Sequence, residues 1–149
     1  MIRDQLLDLV KEFEGCKLEA YQDQVGKWTV GYGSTGPGIN EDTVWTQEQA
    51  DTRLIASLER FQAQIIKNTE MALGDNQLDA LTSFVYNLGL GSYLKSTLKK
   101  KIEDKEFVEA ADEFLKWDRV GGEVSPGILR RRKAERQLFL SGDLTSEIA

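Results

Sequence analysis

The sequence contains no histidine and a single cysteine, Cys16, among its 149 residues. One cysteine cannot form a disulfide within the chain, and it is compatible with a reducing compartment. Without histidine, neither a Ser-His-Asp triad nor a Cys-His pair can form, and a zinc site lacks most of its usual ligands. We therefore expect no metal and no cofactor, and any catalysis must use carboxylates, hydroxyls or lysines.

Long hydrophobic runs and low-complexity stretches are also missing. The longest nearly uncharged stretch, residues 78–94, is interrupted by Asn87, Gly89 and Gly91, so it predicts no membrane span. The N-terminal residues already form a charged amphipathic pattern, and we therefore expect no signal peptide. With 40% hydrophobic and 30% charged residues, the composition is that of one soluble globular domain.

The chain is acidic, with a formal net charge of −6. Its positive charge is concentrated in two short runs, residues 99–101 and 130–133, which we interpret as solvated helix faces. An acidic protein with two such runs is a poor candidate for a general nucleic-acid binder. We expect a monomer with neither a nucleic-acid nor a membrane partner.

Periodicity divides the chain into a small β region and a long helical region. Apolar residues at helical spacing predict a first helix over about 3–13, and alternation predicts an antiparallel hairpin within 17–35. Thr46 and Gln49 form a capping box that opens a helix running to about Lys67, roughly 30 Å long. Beyond it the pattern is helical throughout: a helix capped by Asp75, one around 93–102, one over about 107–115, and a last one opened by Ser125-Pro126 and ended by Gly142.

This layout predicts an α+β fold with its small antiparallel sheet confined to an N-terminal lobe. We expect a single domain over residues 1–149, with the N-terminal lobe at about 14–62 and a long connecting helix. The helical C-terminal lobe is expected at about 63–142, with the first helix packed on it and a frayed tail at 143–149. A cleft between the lobes is the expected ligand site.

The segment 14–35 contains Glu14, Asp23 and Thr29 together with four glycines. Glu14 ends the first helix, where the negative end of the helix dipole disfavours an acid. Asp23 lies at the predicted turn, and Thr29 lies on the returning strand. Two acids brought together on different elements are typical of acid–base catalysis on a bond held between them. Taken singly, each residue suits a helix end, a turn or a strand, and Cys16 is interpreted as a small half-buried residue.

The last helix carries an arginine on its apolar stripe. Arg131 lies on that stripe, whereas its basic neighbours, Arg132 among them, are predicted to point elsewhere. A buried arginine requires a carboxylate partner. Glu135, four residues on, is one candidate, and Glu14 is the other.

Three stretches of the chain form a distinctive set: Phe-Glu-Gly at 13–15, Ala-Tyr-Gln-Asp at 20–23, and Gly-Lys-Trp-Thr-Val-Gly-Tyr-Gly-Ser-Thr at 26–35. Together with residues 83–89 and 121–136, they resemble the phage-type lysozymes, the endolysins of glycoside hydrolase family 24. The resemblance covers roughly residues 3–142 and implies a lysozyme-like, two-lobed fold.

The resemblance implies a muramidase that hydrolyses the β-1,4 bond between N-acetylmuramic acid and N-acetylglucosamine in peptidoglycan, for host cell lysis. By position, Glu14 is the general acid, while Asp23 and the Thr29 hydroxyl position and activate the attacking water, which suits inversion. Arg131 takes the place of the arginine that pairs with the catalytic glutamate. The positions that face the sugar chain are matched by Gly33, Thr35, Tyr86 and Asn87.

Two departures from the family pattern have expected consequences. Ser34 stands where the family usually has a histidine tied to an acidic partner, so we expect a local change in stability and no loss of catalysis. Many relatives are basic, whereas this acidic chain lacks that attraction to anionic cell walls. By analogy, the protein is expected to be made in the bacterial host cytoplasm and to reach the wall with the help of a holin.

Three alternatives remain open at this stage. The same scaffold serves a lytic transglycosylase or a chitin-directed hydrolase, although Asp23 and Thr29 favour hydrolysis because a transglycosylase needs no water-activating carboxylate. A second alternative is a wall-binding module or immunity decoy that has kept the fold. The third is a helical nucleic-acid binder that uses the basic runs.

Overall fold

The computed structural model describes residues 1–141. Across this range, none of the helices combines the length and the apolar character that crossing a membrane requires. The elements in chain order are α1 (Asp4–Glu14), β1 (Lys17–Gln22), β2 (Trp28–Gly31), α2 (Gln47–Asn68), α3 (Asp75–Leu88), α4 (Leu90–Leu94), α5 (Thr97–Glu103), α6 (Phe107–Phe114), β3 (Arg119–Val120), β4 (Glu123–Val124) and α7 (Pro126–Leu140).

The chain divides into two compact units, Met1–Glu59 and a second unit that begins at Arg60. The division falls inside α2, so this helix contributes residues to both units. The capping box predicted for its start is confirmed: Thr46 N–H donates to Gln49 Oε1 at 2.8 Å, and Gln49 N–H donates to Thr46 Oγ1 at 3.1 Å. The lobe limits expected from the sequence, and the packing of the first helix, stay predictions.

The first unit contains α1, the β1–β2 hairpin and the first part of α2. The strands are antiparallel, with Tyr21 opposite Thr29, and the ladder is irregular between Lys17 and Tyr21. Residues at helical spacing on α1 and α2 are buried, because one face of each helix is apolar. The buried apolar residues of this unit are Ile2, Leu6, Val10, Val30, Tyr32, Ala50, Leu54 and Leu58.

The second unit has an apolar core in which aromatic rings meet edge to face. Phe84 is in T-shaped contact with Phe114 and with Trp117, each at a centroid distance of 5.5 Å, a geometry that aromatic pairs favour. The buried members of this core are Ile65, Ala80, Leu81, Phe84, Val85, Tyr93, Leu98, Ile102, Phe107, Ala110, Ala111, Phe114 and Phe139.

Two sequence predictions about the second unit are wrong. The helix expected around 93–102 is interrupted: α4 ends at Leu94, and α5 begins at Thr97 because the Ser96 side chain accepts the N–H of Lys99 at 3.0 Å and caps a new helix. A second ladder, β3–β4, with Gly121 and Gly122 in its turn, contradicts the expected confinement of sheet structure to the N-terminal lobe. The φ values of these two glycines, 60° and 86°, suit a tight hairpin turn.

The helix limits differ by one or two residues from those predicted. Asp75 is the first helical residue of α3, and Gly74 is the N-cap, whose N–H donates to Gln77 Oε1 at 3.0 Å. The last helix begins after Ser125, whose side chain accepts the N–H of Ile128 as expected for an N-cap. The predicted helix end at Gly142 and the tail at 143–149 lie outside the described residues.

Candidate active site

The turn of the β1–β2 hairpin holds Asp23 through the backbone of Lys27. The N–H of Asp23 donates to the Lys27 carbonyl at 2.9 Å, and the N–H of Lys27 donates to Asp23 Oδ1 at 2.8 Å. The N–H of Val25 donates to the same carboxylate oxygen at 3.0 Å. Aspartate suits such a turn because its side chain accepts hydrogen bonds from nearby backbone. The carboxylate is therefore fixed by local backbone, and both side-chain bonds use Oδ1.

The Lys27 backbone also fixes Thr29. The Thr29 hydroxyl donates to the Lys27 carbonyl at 3.0 Å, and only 4% of Thr29 is exposed. Because a hydroxyl has one hydrogen, this bond leaves Thr29 Oγ1 to act as an acceptor toward any further partner. One backbone unit thus orients both side chains that the sequence predicts to handle water.

Glu14, the last residue of α1, lies against the backbone of Gly33. A Cβ placed on Gly33 would lie 3.0 Å from Glu14 Oε1, closer than carbon and oxygen ordinarily approach. Gly33 has φ of 81°, which also favours glycine. The loop that carries it is closed by Val30 and Ser34, which exchange backbone hydrogen bonds at 2.9 and 2.8 Å. Ser34 is buried, and the stability change expected from the missing histidine stays a prediction.

Tyr21 lies in the electric field of both carboxylates. Burial raises the pKa of its phenol, and the negative charges of Glu14 and Asp23 raise it further. Tyr21 is also the residue opposite Thr29 in the ladder. The structure therefore places Thr29 opposite Tyr21, with the charges of Glu14 and Asp23 near enough to act on the phenol. Sequence reasoning gave Tyr21 no role, although it lies only two residues before Asp23.

A polar cluster anchors the ring of Tyr32, between Gly31 and Gly33. The Tyr32 hydroxyl donates to Asp51 Oδ1 at 2.9 Å and accepts from Gln47 Nε2 at 2.9 Å. Burial, followed by the hydrogen bond to Asp51, raises the pKa of Tyr32 to about 12, so the phenol remains a donor. The Gln47 amide, with Tyr32 and Lys11, lowers the pKa of Asp51. This cluster was missed because its members are far apart in sequence.

The predicted sugar-facing residues occur in both units. In the first, Gly33 lies against Glu14, and the Thr35 carbonyl accepts from Arg53 Nη2 at 2.9 Å. In the second, Tyr86 is in edge-to-face contact with Phe61 at a centroid distance of 6.3 Å. Asn87, beside Tyr86 on α3, accepts a hydrogen bond from Arg132.

Arg131 is buried, as its position on the apolar stripe predicts, with 2% of the residue exposed. Within the second unit its Nε lies 3.3 Å from Glu135 Oε2, and its Nη2 donates to the Ser83 carbonyl at 3.1 Å. Burial raises the pKa of Glu135, while the charges of Arg132 and Arg131 oppose that rise. Glu135, one of the two partners considered, therefore contacts Arg131, and the pairing of Arg131 with Glu14 stays a prediction.

The interpretation of the basic runs as solvated faces requires correction at Arg132. This residue is fully buried, with its Nε 3.0 Å from Glu135 Oε1 and its guanidinium 5.1 Å from the centre of the Phe84 ring. A carboxylate three residues away and an aromatic face together compensate the burial of its charge. In the other run, Lys99 pairs with Glu103, and Lys101 pairs with two glutamates of the following segment.

The expectation of a half-buried cysteine is also wrong, because Cys16 is exposed. It lies directly after the Gly15 that ends α1, at the start of the segment that leads into β1. Its Sγ is 3.9 Å from Gln47 Nε2, at the margin of the polar cluster around Tyr32.

Residues 11–135 match the family model described as phage lysozyme. The chain belongs to the phage lysozyme family. It is 39% identical over 144 residues to an endolysin of Acyrthosiphon pisum secondary endosymbiont phage 1, an alignment that covers 94% of this chain and 98% of that protein. It is 37% identical to an endolysin of Bacillus phage B103, but spans only 53% of that protein's length.

Solved structures give the same assignment. The muramidase domain of SpmX from Asticaccaulis excentricus aligns with a TM-score of 0.87 and 31% identity, covering 95% of this chain and 99% of that one. The endolysin from Escherichia coli O157:H7 phage FAHEc1 aligns with a TM-score of 0.84 and 33% identity, covering 95% and 94%. The resemblance and the lysozyme-like α+β fold are thereby confirmed, and this phage lysozyme family member is a lysozyme-type glycoside hydrolase.

Proposed function

We propose that the protein is an endolysin that hydrolyses the β-1,4 bond between N-acetylmuramic acid and N-acetylglucosamine in peptidoglycan. The observation that supports the proposal is the Lys27 backbone, which holds both Asp23 and Thr29 in the same unit as Glu14. Glycoside hydrolysis requires one carboxylic acid to protonate the leaving oxygen and one carboxylate to act at the opposite face of the sugar. Glu14 and Asp23 supply these two groups.

In this mechanism Glu14 is the general acid. Its carboxyl lies against the Cα of Gly33, where a Cβ would come within 3.0 Å of Glu14 Oε1, and the positive φ of that residue favours glycine. Arg131 is proposed to pair with Glu14 and to limit the directions in which it turns. A positioned general acid of this kind contributes about 10²- to 10⁴-fold to the rate.

Asp23 and Thr29 are proposed to hold the attacking water. Asp23 uses Oδ1 for its two backbone bonds, and within residues 1–141 its Oδ2 has no hydrogen-bond partner. Thr29 Oγ1 has given its hydrogen to the Lys27 carbonyl and can only accept. A water that donates one hydrogen to each oxygen has its lone pair directed elsewhere, as attack requires. Direct attack by water inverts the anomeric centre, because no glycosyl-enzyme intermediate forms.

The sugar chain is proposed to contact Gly33, Thr35, Tyr86 and Asn87. Thr35 has its carbonyl occupied by Arg53, while the exposed backbone of Gly33 allows close approach. Asn87 supplies a polar group, and the ring of Tyr86 supplies an apolar surface of the kind that carbohydrate sites use. The proposal includes peptidoglycan glycan strands as the partner, a monomeric protein, synthesis in the host cytoplasm, and access to the cell wall with the help of a holin.

The test uses purified peptidoglycan with wild type, Glu14→Gln and Asp23→Asn. Both substitutions replace an ionisable oxygen by an amide nitrogen of similar size, so we expect at least a hundredfold slower release of reducing ends with an unchanged fold. Glu12→Gln is the matched control, because Glu12 is an exposed residue of the same helix. Wild-type rates in Glu14→Gln would overturn the assignment of the acid.

Product analysis separates the alternatives. Inversion of a β bond gives the α-anomer as the first product, which proton NMR detects before mutarotation. Anhydro-muramyl ends would identify a lytic transglycosylase, and sedimentation with cell walls without release of reducing ends would identify a wall-binding module.

A further inference from the structure

The side chain of Asn87, on α3, is held in one orientation by a buried arginine. Arg132 Nη2 donates to Asn87 Oδ1 at 2.6 Å. A guanidinium has only N–H donors and no acceptor, so the group of Asn87 that faces it must be the oxygen. The amide nitrogen, with its two hydrogens, is therefore directed away from Arg132.

Arg132 is itself fixed in place. None of it is exposed, its Nε lies 3.0 Å from Glu135 Oε1, and its guanidinium lies 5.1 Å from the centre of the Phe84 ring. Glu135 is also fully buried, and its Oε2 accepts the Ser83 hydroxyl at 2.6 Å. Moving the arginine would separate a buried ion pair, which is strongly unfavourable. The orientation of Asn87 is thus determined by residues that no ligand reaches.

We infer that Asn87 is a specificity-determining residue that binds an acceptor oxygen of the glycan strand through its amide nitrogen, and that Arg132 is the positioning residue that excludes the reverse orientation. The inference rests on the proposed function, in which Asn87 contacts the sugar chain. A freely rotating asparagine offers either a donor or an acceptor to its ligand. Once fixed by Arg132, its amide nitrogen donates to carbonyl, hydroxyl or ether oxygens and disfavours groups that can only donate, such as an ammonium.

Substitution of Asn87 by aspartate tests this assignment, because it separates the two sides of the amide. A carboxylate retains the oxygen that faces Arg132 and forms a stronger, charge-assisted bond with it, while the amide donor is lost. In the Glu14→Gln background, where strands are not cut, we expect Asn87→Asp to bind soluble peptidoglycan strands about tenfold more weakly than the parent. Its melting temperature is expected to equal or exceed that of the parent.

Asn87→Ala is the comparison variant, because it removes both sides of the amide. It is expected to lose binding to a similar extent and also to melt at a lower temperature, since Arg132 loses one of its acceptors. Binding is repeated in about 1 M salt, where the Debye length falls to about 3 Å, so that repulsion between the new carboxylate and anionic strands is screened. The loss of binding is expected to persist there.

Three results would overturn the inference: Asn87→Asp binding as tightly as its parent, a loss of binding that disappears in high salt, or melting of Asn87→Asp as low as that of Asn87→Ala. In an otherwise wild-type chain, the change is expected to raise KM by about tenfold while kcat changes less, because a binding contact has been removed. If the proposed function itself were wrong, the wild-type protein would release no reducing ends from peptidoglycan, a result that is distinct from the three above.

Discussion

Replacement of Gly33 by alanine perturbs the candidate site at the point where the backbone touches Glu14. The new Cβ would lie 3.0 Å from Glu14 Oε1 and 3.8 Å from its Cδ, so the carboxyl group must shift by a few tenths of an ångström. The φ of 81° adds strain, because an L-residue in the left-handed region costs about 1–2 kcal/mol. Gly33→Ala therefore combines a backbone penalty with displacement of the proposed acid.

Gly38→Ala isolates the backbone penalty. Gly38 has a similar φ of 85°, and a Cβ placed on it would meet no atom within 4 Å. For a chain of this length, 1 kcal/mol corresponds to about 2–4 °C in melting temperature, so both variants are expected to melt about 2–8 °C below wild type. We expect Gly33→Ala and Gly38→Ala to have similar melting temperatures but different activities.

The expected difference in activity follows from the displacement of Glu14. A misplacement of about 1 Å costs about a hundredfold in rate, so a shift of a few tenths of an ångström should lower kcat by about 3- to 10-fold. The assay is turbidity loss of peptidoglycan suspensions, with kcat and KM separated on soluble strands. A fall in kcat indicates a displaced acid, whereas a rise in KM alone would indicate hindrance of the sugar chain. Equal kcat in Gly33→Ala and Gly38→Ala would refute the reasoning.

Two further predictions concern stability. Tyr32→Phe removes the hydroxyl bonded to Asp51 and is expected to lower the melting temperature by about 2–4 °C, for a loss of about 1 kcal/mol; an unchanged melting temperature would show that the cluster does not anchor the ring. The pKa of Glu103 is lowered from 4.5, first by the backbone N–H of Glu70 at 2.8 Å and then by Lys99. A lowered carboxyl pKa contributes stability above pH 4.5 that is lost as the pH falls through the folded-state pKa. Glu103→Gln should therefore have a lower melting temperature than wild type at pH 7, and the difference should shrink as the pH falls below 4.5. A difference in melting temperature that does not change with pH would contradict this prediction.

The part of the site predictable from sequence is the part encoded locally. The hairpin follows from alternation around a turn, and the burial of Arg131 follows from its place on an apolar stripe. The register that sets Tyr21 opposite Thr29 was not predictable, because it depends on the irregularity within the ladder. The cluster of Tyr32 and Asp51 joins residues 19 positions apart, and periodicity carries no information about such pairs.

The errors have physical causes of the same kind. Helical spacing separates the apolar face of a helix from the opposite, solvated face, and it assigns Arg132 to the solvated face. It does not identify residues at the boundary between the two faces, where Glu135 and Phe84 compensate the buried charge of Arg132. The break between α4 and α5 was missed because Ser96, inside the helix predicted around 93–102, serves as an N-cap that opens a new helix.

The hydrogen bonds around Lys27 imply an unusual form of mutational tolerance. Its N–H and carbonyl orient both Asp23 and Thr29, whereas its side chain is exposed and makes none of these three bonds. Nineteen of the twenty amino acids supply the same two backbone groups, and proline alone lacks the N–H. Position 27, although central to the proposed water site, therefore tolerates most substitutions. A comparison of side chains among relatives would not identify it as important.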